Sequence, residues 1–115
     1  MPKLLFRQAV SSADLEQIHA LNHRVFAEEI AQHGTKPSGL LVDRFHEQNH
    51  YFVAVREDVV IGMISAHSGP EFSVKRRLPD ASLLESLPRP IEVRLLAIEP
   101  TERNRTVLAG LLWQA

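Results

Sequence analysis

At 115 residues the chain holds at most one domain, 1–115, with a modest core. Apolar residues make up 44% and charged residues 23% with a net charge of −1; this excludes a disordered segment and gives no reason to expect a nucleic-acid or membrane surface. The absence of cysteine excludes a disulfide framework, a zinc–thiolate site and a thiol nucleophile, and agrees with a cytoplasmic setting.

Residues 3–10 read as a first strand, in which Leu4, Phe6 and Gln8 alternate with Leu5 and Arg7. The opening MPKLLFRQAV is too short for a signal peptide, and no apolar run reaches membrane-spanning length. Ser11 or Ser12 offers an N-cap, and Ser11 with Asp14 has the spacing of a capping box. A helix is then predicted to about Gln32, with Leu15, Ile18, Leu21 or Asn22, Val25, Phe26 and Ile30 on one apolar face. Gly34 stops it, and residues 34–39 are turn chemistry. In the run that follows, Asp43 either caps a short helix or neutralises Arg24.

Residues 50–56 form a second strand, with Phe52 and Ala54 on one face and Tyr51, Val53 and Val55 on the other. Glu57-Asp58 makes a tight turn into a returning strand, 59–68, where Gly62 marks a bulge or a close approach. The long connection 69–89 carries three prolines, a short helix over 80–87 and the basic cluster Lys75-Arg76-Arg77. That cluster is either a solvated loop or a contact for phosphates or an acidic carrier protein.

Val93, Leu95, Leu96, Ala97 and Ile98 then give a nearly continuous apolar run, expected of a strand covered on both faces. Pro100 ends it, Thr101 is the expected N-cap of the next helix, and Glu102 suits its first turn. Val107, Leu108, Leu111 and Leu112 follow at helical spacing. With Arg103 and Arg105 between strand and helix, the junction reads as an anion site or as an ordinary connection carrying surface arginines. The six histidines lack a tight metal-ligand spacing, so no metal site is expected.

Residues 92–112 resemble the central motif of the GNAT superfamily, the acyl-CoA-dependent N-acyltransferases. That motif runs from a strand E-x-R-x-L-x-V through x-P-x-x-R into R-x-x-G-x-G/A and a helix with Leu-Leu. Glu92, Arg94, Leu96, Ile98, Pro100, Arg103, Leu111 and Leu112 stand at matching positions. Thr106 and Leu108 replace the two usual glycines, which is similar to acyl-homoserine-lactone synthases and long-chain N-acyl amino acid synthases. Those relatives take acyl chains from acyl carrier protein as well as from coenzyme A. The run Arg24-x-Phe26-x-Glu28 resembles the Arg-x-x-Phe-x-Glu signature at the acyl-binding end of such synthases. Asp43-x-Phe45 resembles their Asp-x-Phe-Asp, with His46 in the last place.

The resemblance implies an α/β fold with a mixed sheet in the order strand, helix, hairpin, strand, helix, incomplete at its C-terminal end. It implies acyl transfer from acyl-CoA or acyl carrier protein to a small-molecule amine, without a metal. Glu92 would be the general base, or else a surface carboxylate paired with Arg94. The amides of Leu96, Ala97 and Ile98 would polarise the thioester. Arg103 and Arg105, with the amides of Thr106, Val107 and Leu108, would take the phosphate-bearing arm. Arg24, Phe26 and Asp43 would border the substrate. Leu108, Leu111, Leu112 and Trp113 would leave an apolar helix face, from which a homodimer is expected. The alternative is a truncated, non-catalytic module acting in self-association or ligand binding.

Overall fold

A computed structural model describes residues 3–30, 34, 36–73 and 90–114. The expected short helix at 80–87 and the cluster Lys75-Arg76-Arg77 lie outside these residues.

The element order is the expected one: β1 (Leu4–Ala9), α1 (Ser12–Asn22), a π-helical segment (His23–Glu29), β2 (His50–Arg56), β3 (Val59–His67), β4 (Glu92–Ile98), a 3₁₀ turn (Pro100–Glu102) and α2 (Arg105–Gln114). The strands lie in the order β1-β2-β3-β4. All three pairings among the described strands are antiparallel, and the strands and helices together make the expected α/β fold.

Among the described elements, one helix packs on each face of the sheet. Ile18, Leu21 and Val25 pack with Tyr51, Val53, Val55, Val60 and Met63 on the α1 side. Val107 and Leu111 of α2 pack with Ala54, Ile61, Ile64 and Ile98 on the other side. Between Ala54 and Val55 the partner advances from Gly62 to Val60, so Ile61 is an extra residue, and it sends its side chain to the α2 core. A Cβ on Gly62 would stand 3.1 Å from the Leu111 side chain. Both readings of that glycine, bulge and close approach, are therefore observed at one spot.

Two expectations for helical packing change. The Ser11 cap forms, its Oγ accepting the Asp14 N–H at 3.1 Å. The helix, however, widens at His23, and the Ile30 N–H reaches the Val25 carbonyl, five residues back rather than four. That added residue per turn shifts the phase of the apolar face, and Ile30 is exposed instead of buried. The C-terminal helix begins at Arg105, three residues after the expected start. Glu102 N–H closes a 3₁₀ turn on the Glu99 carbonyl, and Arg103 is extended, so Asn104 rather than Thr101 is the cap.

β4 is not covered on both faces. It is the last strand in the order, and α2 lies across β1, β2 and β3. Val93 is 52% exposed, and Leu96, expected in the core, is exposed as well. Only its final residues, Ala97 and Ile98, are buried.

Candidate active site

The site grows from a second bulge. Leu95 pairs with Ser65 while Val93 pairs with Ala66, so Arg94 has no partner opposite it on β3. The extra residue breaks the alternation that E-x-R-x-L-x-I implies. It brings Glu92 opposite His67 at the end of β3, while Arg94 turns to the segment 43–45.

Arg94 grips Asp43 with two hydrogen bonds, Nη2–Oδ1 at 2.9 Å and Nε–Oδ2 at 3.2 Å. Asn49 donates to the same carboxylate at 2.8 Å. Burial pushes the Asp43 carboxyl up, but the Arg94 and Asn49 donors outweigh it and hold the group below the ordinary carboxylate range. The Arg94 guanidinium also lies over the Phe45 ring, 4.5 Å from its centre. Asp43 thus does not neutralise Arg24, and no helix follows it. Arg24 pairs instead with Glu99, just past β4.

Glu92 is held from several sides. The Ser73 hydroxyl donates to Oε2 at 2.8 Å and the Ser73 N–H to Oε1 at 3.1 Å. His67 is fully buried and stacks on Phe45 at 5.3 Å between ring centres. Its Nδ1 accepts the Gly69 N–H at 3.0 Å, which leaves the proton on Nε2, 3.1 Å from Glu92 Oε1. The resemblance pointed to Glu92 and Asp43; it gave no signal for His67, Ser73 or Asn49. His67 closes an apolar strand and Ser73 lies 19 residues upstream of Glu92, so only the β3–β4 register brings them together.

A cavity of about 410 Å³ opens beside this cluster, between Leu41, Asp43 and Arg44 on one side and Arg94 and Leu95 on the other. Phe26 instead packs against the α1-side core.

At the far end of β4, the Glu99 N–H bonds the Ile61 carbonyl of β3. Strand alternation then turns the amides of Leu96 and Ile98 toward the edge that no described strand pairs with, and that of Ala97 toward β3. The Ile98 carbonyl on that edge accepts from Arg103 Nε at 2.9 Å. The Arg103 terminal nitrogens both bond Glu29, at 2.7 Å each. Arg105 is exposed, with no ion-pair partner among the described residues. In the first turn of α2, the Val107 N–H is taken by Asn104 Oδ1 at 3.0 Å and the Leu108 N–H by the Asn104 carbonyl at 3.1 Å. The amides of Arg105 and Thr106 remain as first-turn donors. Among the described residues no cluster of three or more His, Asp or Glu suits a metal ion.

The β4 edge that no described strand pairs with leads through a cation-bearing turn to a helix start. Residues 21–114 match the family described as the acetyltransferase (GNAT) domain, and the chain belongs to that family. The chemistry of the family is acyl transfer, generally from acyl-CoA. A search of curated proteins gives no match. No helix among the described residues is long and apolar enough to cross a membrane.

Proposed function

We propose that this domain is an N-acyltransferase that moves an acyl group from acyl-CoA or acyl carrier protein to the amine of a small molecule. The observation that carries this reading is the edge of β4 that no described strand pairs with, which leads to Arg103 and the start of α2. A thioester lying along that edge places its carbonyl oxygen against the Leu96 or Ile98 amide. These amides stabilise the oxyanion that forms when the amine nitrogen attacks the carbonyl carbon. Collapse of the tetrahedral centre breaks the C–S bond and expels a thiolate, which takes up a proton. Glu92 receives the proton lost by the amine, with His67 and Ser73 fixing its carboxylate. Arg103, Arg105 and the Arg105 and Thr106 amides take the phosphates of the arm, and Val107 and Leu108 support them through the helix. The acceptor enters the cavity beside Arg94, whose guanidinium Asp43 orients. Arg24 and Phe26, on the π-helical segment, border the acyl chain.

The test is release of free thiol from a panel of acyl-CoA donors with amino-acid and simple amine acceptors. Thiol release that depends on the acceptor and is lost in Glu92→Gln supports the reading. Acceptor-independent release only, or none, overturns it.

A second reading, a non-catalytic module that self-associates, draws on a different observation. Trp113 is 91% exposed beside exposed Leu112 and Leu108, and the Val107 and Leu108 amides already have partners. A homodimer through this face is compatible with either reading. Light scattering at micromolar concentration tests it: a monomeric wild type removes the dimer, and a dimer that Trp113→Ser dissociates places the contact.

A further inference from the structure

The cation assigned to the donor's phosphates is already bound to an anion of the chain itself. Glu29 closes the π-helical segment, and its two carboxylate oxygens each lie 2.7 Å from a terminal nitrogen of Arg103. The third nitrogen of that guanidinium, Nε, donates to the Ile98 carbonyl at 2.9 Å. A carboxylate in this two-pronged seat uses the same pair of N–H groups that two phosphate oxygens would use. Both cannot occupy it together.

The molecule contains a useful contrast. Asp43 holds Arg94 in the same two-pronged way, but its side chain is only 6% exposed, and Asn49 adds a further bond. That pair is enclosed and fixed. Glu29 and Arg103 are 41% and 42% exposed. A pair so open to water is exchangeable and contributes little to stability. A second pair of opposite polarity, Arg24 with Glu99, joins the same two segments. The junction therefore stays tied when one pair opens.

From this geometry we infer that Glu29 is an internal competitor for the donor: it occupies the Arg103 guanidinium in the empty protein and is displaced when a phosphate-bearing donor binds. The inference rests on the reading of Arg103 as a donor-phosphate contact. Displacement costs the Glu29–Arg103 pair and leaves a carboxylate near the incoming anion, so Glu29 lowers donor affinity. It also couples donor binding to release of the end of the π-helical segment, which carries Arg24 and Phe26.

The experiment is calorimetry of the full chain with two probes, coenzyme A and pantetheine, which lacks every phosphate. Four proteins are compared: wild type, Glu29→Gln, Arg103→Ala and the double variant. Thermal melts confirm that each is folded. Glu29→Gln is expected to bind coenzyme A about two- to fivefold more tightly, the range of an exposed ion pair. Pantetheine affinity is expected to stay unchanged, and the gain is expected to shrink or vanish once Arg103 is replaced by alanine. If Arg103→Ala leaves coenzyme A affinity as in the wild type, or if no protein of the set binds it, the donor-phosphate reading falls and the inference with it. If Arg103→Ala weakens coenzyme A while Glu29→Gln leaves it unchanged or weaker, the donor reading stands and the competitor role of Glu29 is overturned.

Discussion

Gly110 of α2 lies against the Phe6 ring of β1, so closely that a Cβ on the glycine would stand 2.2 Å from two ring carbons. This contact sets how near the second helix comes to the sheet. Alanine at position 110 would favour the helix itself by about 1 kcal/mol. The clash runs the other way and is larger. Phe6 is only partly buried, so some of it is relieved by a swing of the ring. Gly110→Ala is expected to destabilise the domain by about 1–2 kcal/mol in urea unfolding. Adding Phe6→Leu should recover part of that loss. An equal cost for Gly110→Ala whether Phe6 is present or already replaced by leucine would show that the ring is not the obstacle.

The β2–β3 turn offers a change in the opposite direction. Glu57 and Asp58 have φ of 53° and 63°, left-handed values that side-chain-bearing residues adopt at a cost. Asn followed by Gly suits such a two-residue turn. The pair Glu57→Asn and Asp58→Gly should raise stability by about 1 kcal/mol. An unchanged urea midpoint would mean that the turn is unstrained.

Much of this architecture was legible because local chemistry decided it. Ser11 with Asp14 gave the helix start, Glu57-Asp58 the hairpin, and the alternation of 51–55 the two faces of β2. Two of the places where the sequence misled share one cause: an extra residue whose insertion no periodicity announces. At Arg94 it takes Glu92 out of the E-x-R-x-L-x-I alternation and into contact with His67. In the π-helical segment it turns Ile30 outward. The α2 cap was misplaced for a different reason. Thr101 and Asn104 are both good caps, and the choice fell to Arg103, whose side chain returns to the Ile98 carbonyl and holds its backbone extended. The exposed flank of β4 was invisible because an apolar run looks the same at the centre of a sheet and at its edge.

Arg94 and Asp43 form an ion pair in the wall of the cavity between 41–44 and β4. Removing one partner leaves a mostly enclosed charge unpaired, and Arg94→Ala should cost about 3 kcal/mol. Joint replacement by Arg94→Met and Asp43→Leu should cost much less, since neither charge is then stranded. Chemical denaturation of the three variants decides the matter. A double variant as unstable as Arg94→Ala would place the cost in lost packing on Phe45 rather than in the stranded carboxylate.

His19 makes stability depend on pH. It is buried on α1, 5.0 Å from the His46 ring, and its Nδ1 has no partner among the described residues. Burial, with the neighbouring His46 charge added, pushes its pKa below the ordinary value of 6.5, against a smaller opposing effect of the Leu41 backbone. The unfolded chain therefore takes up the proton first. The contribution of His19 is complete above pH 6.5 and is lost as pH falls from there through the lower folded value. The slope it adds cannot exceed about 1.4 kcal/mol per pH unit. Asp14 and Asp43 are also depressed, Asp14 chiefly by its Arg7 partner, but they act in a separate window that opens below 3.8. Urea unfolding at pH 7.5, 6.5, 5.5 and 4.5 isolates the histidine. His19→Gln should flatten the loss of stability between 6.5 and 4.5 relative to wild type while leaving the steeper fall below pH 4 in place. Parallel curves for the two proteins across that upper window would show that His19 takes up its proton equally in the folded and unfolded chains.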